Sequence, residues 1–208
     1  MRTEIDPKTT SRAFAFETWI KSPQPMVTIF KTLRIEKLIK VSQRKKIKLN
    51  MLMCWCIGYA ASQIPELRFL PVGKKLMQFD RFAINVIVKT KNGSICMCDV
   101  PFNENIQQFN ADYLQLTKQV QDSDKPHDLS DDCMVIGTSA LTECEIDGVV
   151  NQYSGLYNNP FIAWGKYRRG WLKKRLPISL QFHHVQMDGA EACRFLNILQ
   201  EEINDIKY

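Results

Sequence analysis

The scarcest reactive residues of this chain show where its chemistry is placed. Two of its three histidines are adjacent, in Leu176-Pro177-Ile178-Ser179-Leu180-Gln181-Phe182-His183-His184-Val185-Gln186-Met187-Asp188-Gly189. An imidazole titrates near pH ~6.5, so it can take and return a proton at working pH. If the segment is extended to its end, successive side chains point to opposite faces. His183 and His184 then cannot share one metal ion, and a zinc site would need three or four converging ligands. No metal is expected. Asp188 and Gly189 stand where the strand gives way to a helix: glycine permits positive φ there, and aspartate can cap the helix or hold a neighbouring cation. For such a pair taken alone, the plain reading is a hydrogen-bonded core histidine beside an N-cap aspartate. His127, in an acidic loop, reads as a solvated side chain.

The cysteines say less. Seven of them, Cys54, Cys56, Cys96, Cys98, Cys133, Cys144 and Cys193, form an odd set without framework spacing, which fits a reducing, cytoplasmic compartment. In a helix, Cys54 and Cys56 diverge; in a strand, Cys96 and Cys98 share a face. The expectation is small buried hydrophobes. Cys133 or Cys144 paired with a histidine would suggest a hydrolase, yet nothing local distinguishes those thiols.

The elements that must position these residues follow from periodicity. Residues 26–33 are β-rich after the break at Ser22-Pro23-Gln24-Pro25, and 35–43 carry Ile35, Leu38 and Ile39 at helical spacing. The apolar stretch 50–63 reads as a buried helix ended by Pro65. Strands are predicted over 67–72, 82–89 and 95–100, the last two joined through Asn92-Gly93, a strong hairpin signal. Ile106, Phe109, Tyr113, Leu116 and Val120 predict an amphipathic helix over 105–120, and 122–132 an exposed loop. Strands are predicted again over 134–137, 161–167 and 176–182. After Asp188, Ala192, Phe195, Leu196, Leu199 and Ile203 share one face of a closing helix. The fold class expected is α/β, a two-layer sandwich with a mixed, mainly antiparallel sheet.

With 208 residues, no repeat and no Gly/Ser/Pro-rich linker, one domain over 1–208 is the simplest organisation. Hydrophobic residues at 45% and charged residues at 24% are globular proportions and exclude a disordered or low-complexity chain. No apolar run reaches the ~20 residues of a membrane span, and the first residues lack a signal core, so a soluble, unexported protein is expected. The net charge of +6 gathers at Arg44-Lys45-Lys46-Ile47-Lys48 and around Lys166-Tyr167-Arg168-Arg169 and Lys173-Lys174-Arg175. Such patches attract phosphorylated ligands, but no nucleic-acid-binding signature accompanies them and no nucleic-acid partner is expected.

In this context His-His-x-x-x-Asp-Gly, between an apolar strand and an amphipathic helix, resembles the motif of the CoA-dependent acyltransferases, in particular the chloramphenicol acetyltransferase-like family. Ser11-Arg12-Ala13-Phe14 is similar to that family's Trp-x-Arg segment. Ile64-Pro65-Glu66-Leu67-Arg68 is similar to its Pro-Glu-Phe-Arg, and Pro160-Phe161-Ile162-Ala163-Trp164-Gly165-Lys166-Tyr167 to its Gly-Lys-Tyr strand. The segment 188–196 is similar to the dihydrolipoamide acyltransferases. The resemblance implies transfer of acetyl from acetyl-CoA to a hydroxyl of a small acceptor. It further implies His184 as general base, Asp188 and Arg12 as an orienting ion pair, Ser139 or else Thr138 as oxyanion donor, and Tyr167 along the CoA channel. A homotrimer with sites between subunits is implied as well. Thr142-Glu143-Cys144-Glu145 replaces the family's Pro-Trp run, and Ala163 replaces a threonine, which implies an acceptor pocket changed from that for chloramphenicol. The alternatives are a thiol-directed acyltransferase of the lipoamide type and a non-catalytic CoA-binding or assembly member of the fold.

Overall fold

Strand β10, Lys174–His183, is the spine on which everything else is hung. A computed structural model of the protein describes residues 2–153, 155–170 and 173–208. Among them β10 lies between β2, Met26–Arg34, and β8, Phe161–Gly165, pairing antiparallel with both. Beyond β8 come β7, Met134–Leu141, then β5, Phe82–Lys89, and β6, Ile95–Pro101. The β7 strand runs parallel to β8 and β5, and the remaining pairs, including the short β9, Arg168–Arg169, on β10, are antiparallel. The sheet is therefore mixed and mainly antiparallel.

Side-chain alternation divides this sheet into two chemically different faces. Ile178, Leu180 and Phe182 of β10 join Ile162 and Trp164 of β8 in the core beneath the helices. Helix α3, Leu49–Ser62, is buried nearly all round, as its continuous apolar sequence requires. It packs against α5, Gly189–Asp205, whose buried stripe is Ala192, Phe195, Leu196, Leu199 and Ile203. Flanking them are α2, Glu36–Lys45, and α4, Ile106–Ser123, where the Asn105 side chain accepts from the Gln107 and Gln108 N–H groups as N-cap. The opposite face of β10 carries Ser179, Gln181 and His183, all buried. There Gln181 donates to Thr28 Oγ1 and to the Asn151 carbonyl, so residues near 151 lie over that face.

Among the elements outside the sequence expectations are β1, Arg2–Ile5; α1, Ala13–Trp19; β4, Lys75–Phe79; and the short β9. With β3, Phe69–Val72, the strands β1 and β4 make a separate small sheet in the order β1-β4-β3. Boundaries also move. Pro65–Arg68 is a 3-10 turn, so the strand expected from 67 begins at Phe69. The strand expected to reach 167 stops at Gly165, where the Lys166 N–H turns to the Cys144 carbonyl. The helix expected to end at 120 runs on to Ser123. The strand expected to end at Gly137 continues to Leu141, pairing with β8. At the β5–β6 hairpin Gly93 adopts φ +88°, the positive value that Asn92-Gly93 foretold. Among the described residues no helix is long and apolar enough to cross a membrane.

Candidate active site

Because β10 ends at His183, the two histidines part company there. His183, the last strand residue, is 2% exposed, and its Nδ1 accepts from the Val185 N–H at 3.0 Å. Burial, with the neighbouring His184 second, pushes its pKa down from 6.5 to about 4. A ring nitrogen that accepts a backbone N–H is unprotonated, so His183 is a neutral pin under the turn. His184 sits on the turn itself with its side chain 30% exposed, its N–H donating to the Pro25 carbonyl. Its Nδ1 lies 3.1 Å from Asp188 Oδ1, without the alignment of a good hydrogen bond. The imidazole stacks on Trp19 at 4.7 Å between centroids and 8° between planes.

Arg12 organises this turn from the other end of the chain. Only 4% exposed, it donates from Nε to the Val185 carbonyl and from one terminal nitrogen to the His184 carbonyl, each at 2.9 Å. Both terminal nitrogens reach the two oxygens of Asp188, at 2.9 and 3.0 Å. A planar fork matched to a carboxylate and two carbonyls fixes four acceptors at once. These bonds hold the Asp188 carboxyl below the usual carboxylate range, chiefly through Arg12. The Asp188 N–H in turn donates to Glu191, closing the first turn of α5.

The two candidate oxyanion donors face opposite ways. Thr138 is buried, donates to the Asn85 carbonyl at 2.7 Å and lies against Cys54 under the helix layer. Ser139 points to the other face and is half-buried. It is level with Ala163 of β8, and Ala163 is level with Ser179 of β10. His184 lies five residues beyond Ser179, so strand rise and spacing put Ser139 about 19 Å from His184 within one chain.

Tyr167 lines a cavity of about 280 Å³ with Trp164, Lys166, Arg169, Asn50 and Leu176. Leu176 lies at the start of β10, about 26 Å along the strand from His184. The Arg169 guanidinium lies 5.7 Å from the centre of the Tyr167 ring, so cationic and aromatic groups converge there. Cys54 and Cys98 are poor nucleophiles, since burial pushes each thiol up to about 12, whereas Cys144 and Cys193, expected to be buried, are exposed.

Sequence reasoning missed Trp19 and Gln186. The seven-residue step from Arg12 to Trp19, through buried Ala15, is a helix-face spacing that could have flagged the first. The 0% exposure of Gln186 has no sequence signal.

Comparison with known proteins gives a consistent result. The sequence model described as "Chloramphenicol acetyltransferase" matches residues 2–200. Chloramphenicol acetyltransferase 3 of Escherichia coli is 28% identical over 164 residues, 76% of each chain. A solved chloramphenicol acetyltransferase superimposes with TM-score 0.85 at 16% identity, covering 98% of this chain and all of the other. The dihydrolipoamide acetyltransferase of Azotobacter vinelandii shares the fold with TM-score 0.65 at 17% identity, over 95% and 87% of the two chains.

Proposed function

This chain belongs to the chloramphenicol acetyltransferase family of CoA-dependent acetyltransferases, and from that premise we propose that it passes acetyl from acetyl-CoA to a hydroxyl of a small acceptor with His184 as general base. The observation that carries this reading is the imidazole itself, part-exposed yet held by Trp19 on one face and by the Arg12-anchored Asp188 behind Nδ1. With Nδ1 turned to the carboxylate, Nε2 is the nitrogen left for an acceptor hydroxyl.

In the proposed reaction, Nε2 takes the hydroxyl proton as the oxygen attacks the thioester carbon. The negative charge formed on the thioester oxygen is met by the Ser139 hydroxyl. Collapse of the intermediate breaks the carbon–sulfur bond, and the imidazolium returns its proton to the CoA thiolate. The cavity at Tyr167 would hold part of the cofactor, with Lys166 and Arg169 supplying positive charge for its phosphates and Tyr167 an aromatic surface. The span of about 19 Å between Ser139 and His184 is too long for one reacting centre. It supports a site shared between copies, Ser139 and the cavity from one and His184 from the next, as a homotrimer would provide.

Acetyl-CoA incubated with a panel of hydroxyl and thiol acceptors, chloramphenicol among them, and followed by released thiol tests the activity. His184→Ala lowers kcat by about 10²–10⁴-fold with the oligomer intact. Full activity in that variant would refute His184 as the base.

A further inference from the structure

Gln186 sits between His184 and Asp188 and is completely buried, an unusual place for an uncharged amide with no substrate to meet. Its Nε2 donates to the Phe69 carbonyl of β3 at 2.5 Å, and its Oε1 is buried with no hydrogen-bond partner among the described residues. At that distance only the NH₂ side can face a carbonyl, so the amide's orientation is settled by the contact itself. A side chain of the same size without polar atoms would avoid burying an unpaired oxygen. What the glutamine supplies at this position is therefore the N–H bond to β3.

The strand edge that receives it supports this view. β3 is an edge strand of the small sheet, paired on one side with β4. Alternate residues turn their carbonyls to the same edge, and the carbonyls of Phe69 and Pro71 both open away from other strands. Each is met by a side-chain amide from elsewhere in the chain: Phe69 by Gln186, and Pro71 by Asn158 at 2.8 Å. The Asn158 Oδ1 is likewise buried without a hydrogen-bond partner among the described residues. The small sheet is thus fastened to the turn that carries His184 and, separately, to the chain approaching β8.

We infer that Gln186 is a positioning residue: its amide fastens the 184–188 turn to β3 and so fixes the direction of the His184 ring. This rests on the reading of His184 as general base. Several supports hold that turn from different directions, the His184 backbone N–H on the Pro25 carbonyl among them. Arg12 grips the His184 and Val185 carbonyls, His183 supports the Val185 N–H from below, and Gln186 is the tie to β3. Without the last, the ring keeps its chemistry but loses its aim, and small misplacements are expensive in proton transfer.

The test uses full-length Gln186→Met and Gln186→Leu, which fill the space without a donor, beside Asn158→Leu on the same strand edge. Folding is checked by circular dichroism, and either folded Gln186 variant decides the question. The expected result is kcat lowered about tenfold with both KM values within about twofold, together with a displaced pH midpoint of kcat. Asn158→Leu is expected to leave kcat and its pH midpoint unchanged. Wild-type kcat and pH profile in a folded Gln186 variant overturn the inference, and so does an equal fall of kcat in Asn158→Leu. His184→Ala, run alongside, separates the two ideas: if it stays active, the general-base reading falls and takes this inference with it. If His184→Ala is inactive and Gln186→Met is not slowed, this inference alone falls.

Discussion

The two ends of β10 are built on opposite principles. At its C-terminal end the polar groups are tied within one chain: Arg12 is buried on four acceptors, His183 is a neutral pin, and Trp19 covers a face of His184. Toward its N-terminal end, Lys166, Arg169 and Tyr167 surround open space, and Ser139 is only half-buried. Large apolar side chains stay exposed on that side too, Phe30 at 54% and Leu141 at 43%. On the proposed function, the contrast separates two duties. A group that moves a proton needs a fixed direction before substrate arrives, whereas a surface that receives a long cofactor and a neighbouring subunit must stay open until they bind.

The sharpest way to break that contrast is Ser139→Ala, which should lower kcat by about 10²–10³-fold with little change in melting temperature. Co-expressing Ser139→Ala with His184→Ala then asks whether the two ends act in one chain. If each site joins Ser139 of one copy to His184 of the next, random assembly leaves about a quarter of the interfaces with both residues intact, and activity returns. No recovery in mixed oligomers would place both groups in one subunit and remove the shared-site reading.

Arg12→Ala attacks the tied end. It leaves two turn carbonyls and one carboxylate without their donor, and unfolding in urea should register a loss of about 4 kcal/mol along with a fall in kcat. A variant with unchanged midpoint and rate would show that the clamp holds nothing.

A smaller effect follows from the depressed pKa of His183. The unfolded chain binds this proton near pH 6.5 and the folded chain only near 4, so the unfolded state carries more protons between those values. Stability is complete above 6.5 and falls as pH drops toward 4, by about 3 kcal/mol from this residue. The Asp188 carboxyl, also held low, adds a smaller loss below the usual carboxylate range, reduced by its exposure. His183→Asn, which keeps an acceptor for the Val185 N–H, should flatten the slope between pH 6.5 and 4. An identical slope in wild type and variant would show that another group sets it.

Much of the framework was legible because periodicity survives in one dimension. The run 82–89 is observed as a strand over the same residues, and α3, α4 and α5 lie where apolar spacing placed them, to within a few residues. The failures have local causes. β1 has four residues and α1 seven, too short for a period to show, and Phe14 of α1 is 80% exposed, which spoils its stripe. The strand expected over 134–137 continues past Gly137 because β8 offers a ladder through Leu141.

Ser139 and Thr138 mark the limit of local reasoning at the candidate site. Both are hydroxyls on one strand, and sequence left them as alternatives; the side of the sheet on which the helices pack commits Thr138 to the Asn85 carbonyl.

By itself the sequence determined a strand leading into two histidines, a turn, and a helix opened by Asp188-Gly189, since alternation and capping depend only on neighbours. It also determined that His183 and His184 would face different surroundings. Tertiary structure alone decided which surroundings those are. Arg12, Trp19 and the Phe69 carbonyl reach the turn from more than a hundred residues away, and the direction of a ring is set by what packs around it. The distance from Ser139 to His184 was likewise decided by strand order, which follows from how the whole sheet assembles and not from the residues of any one strand.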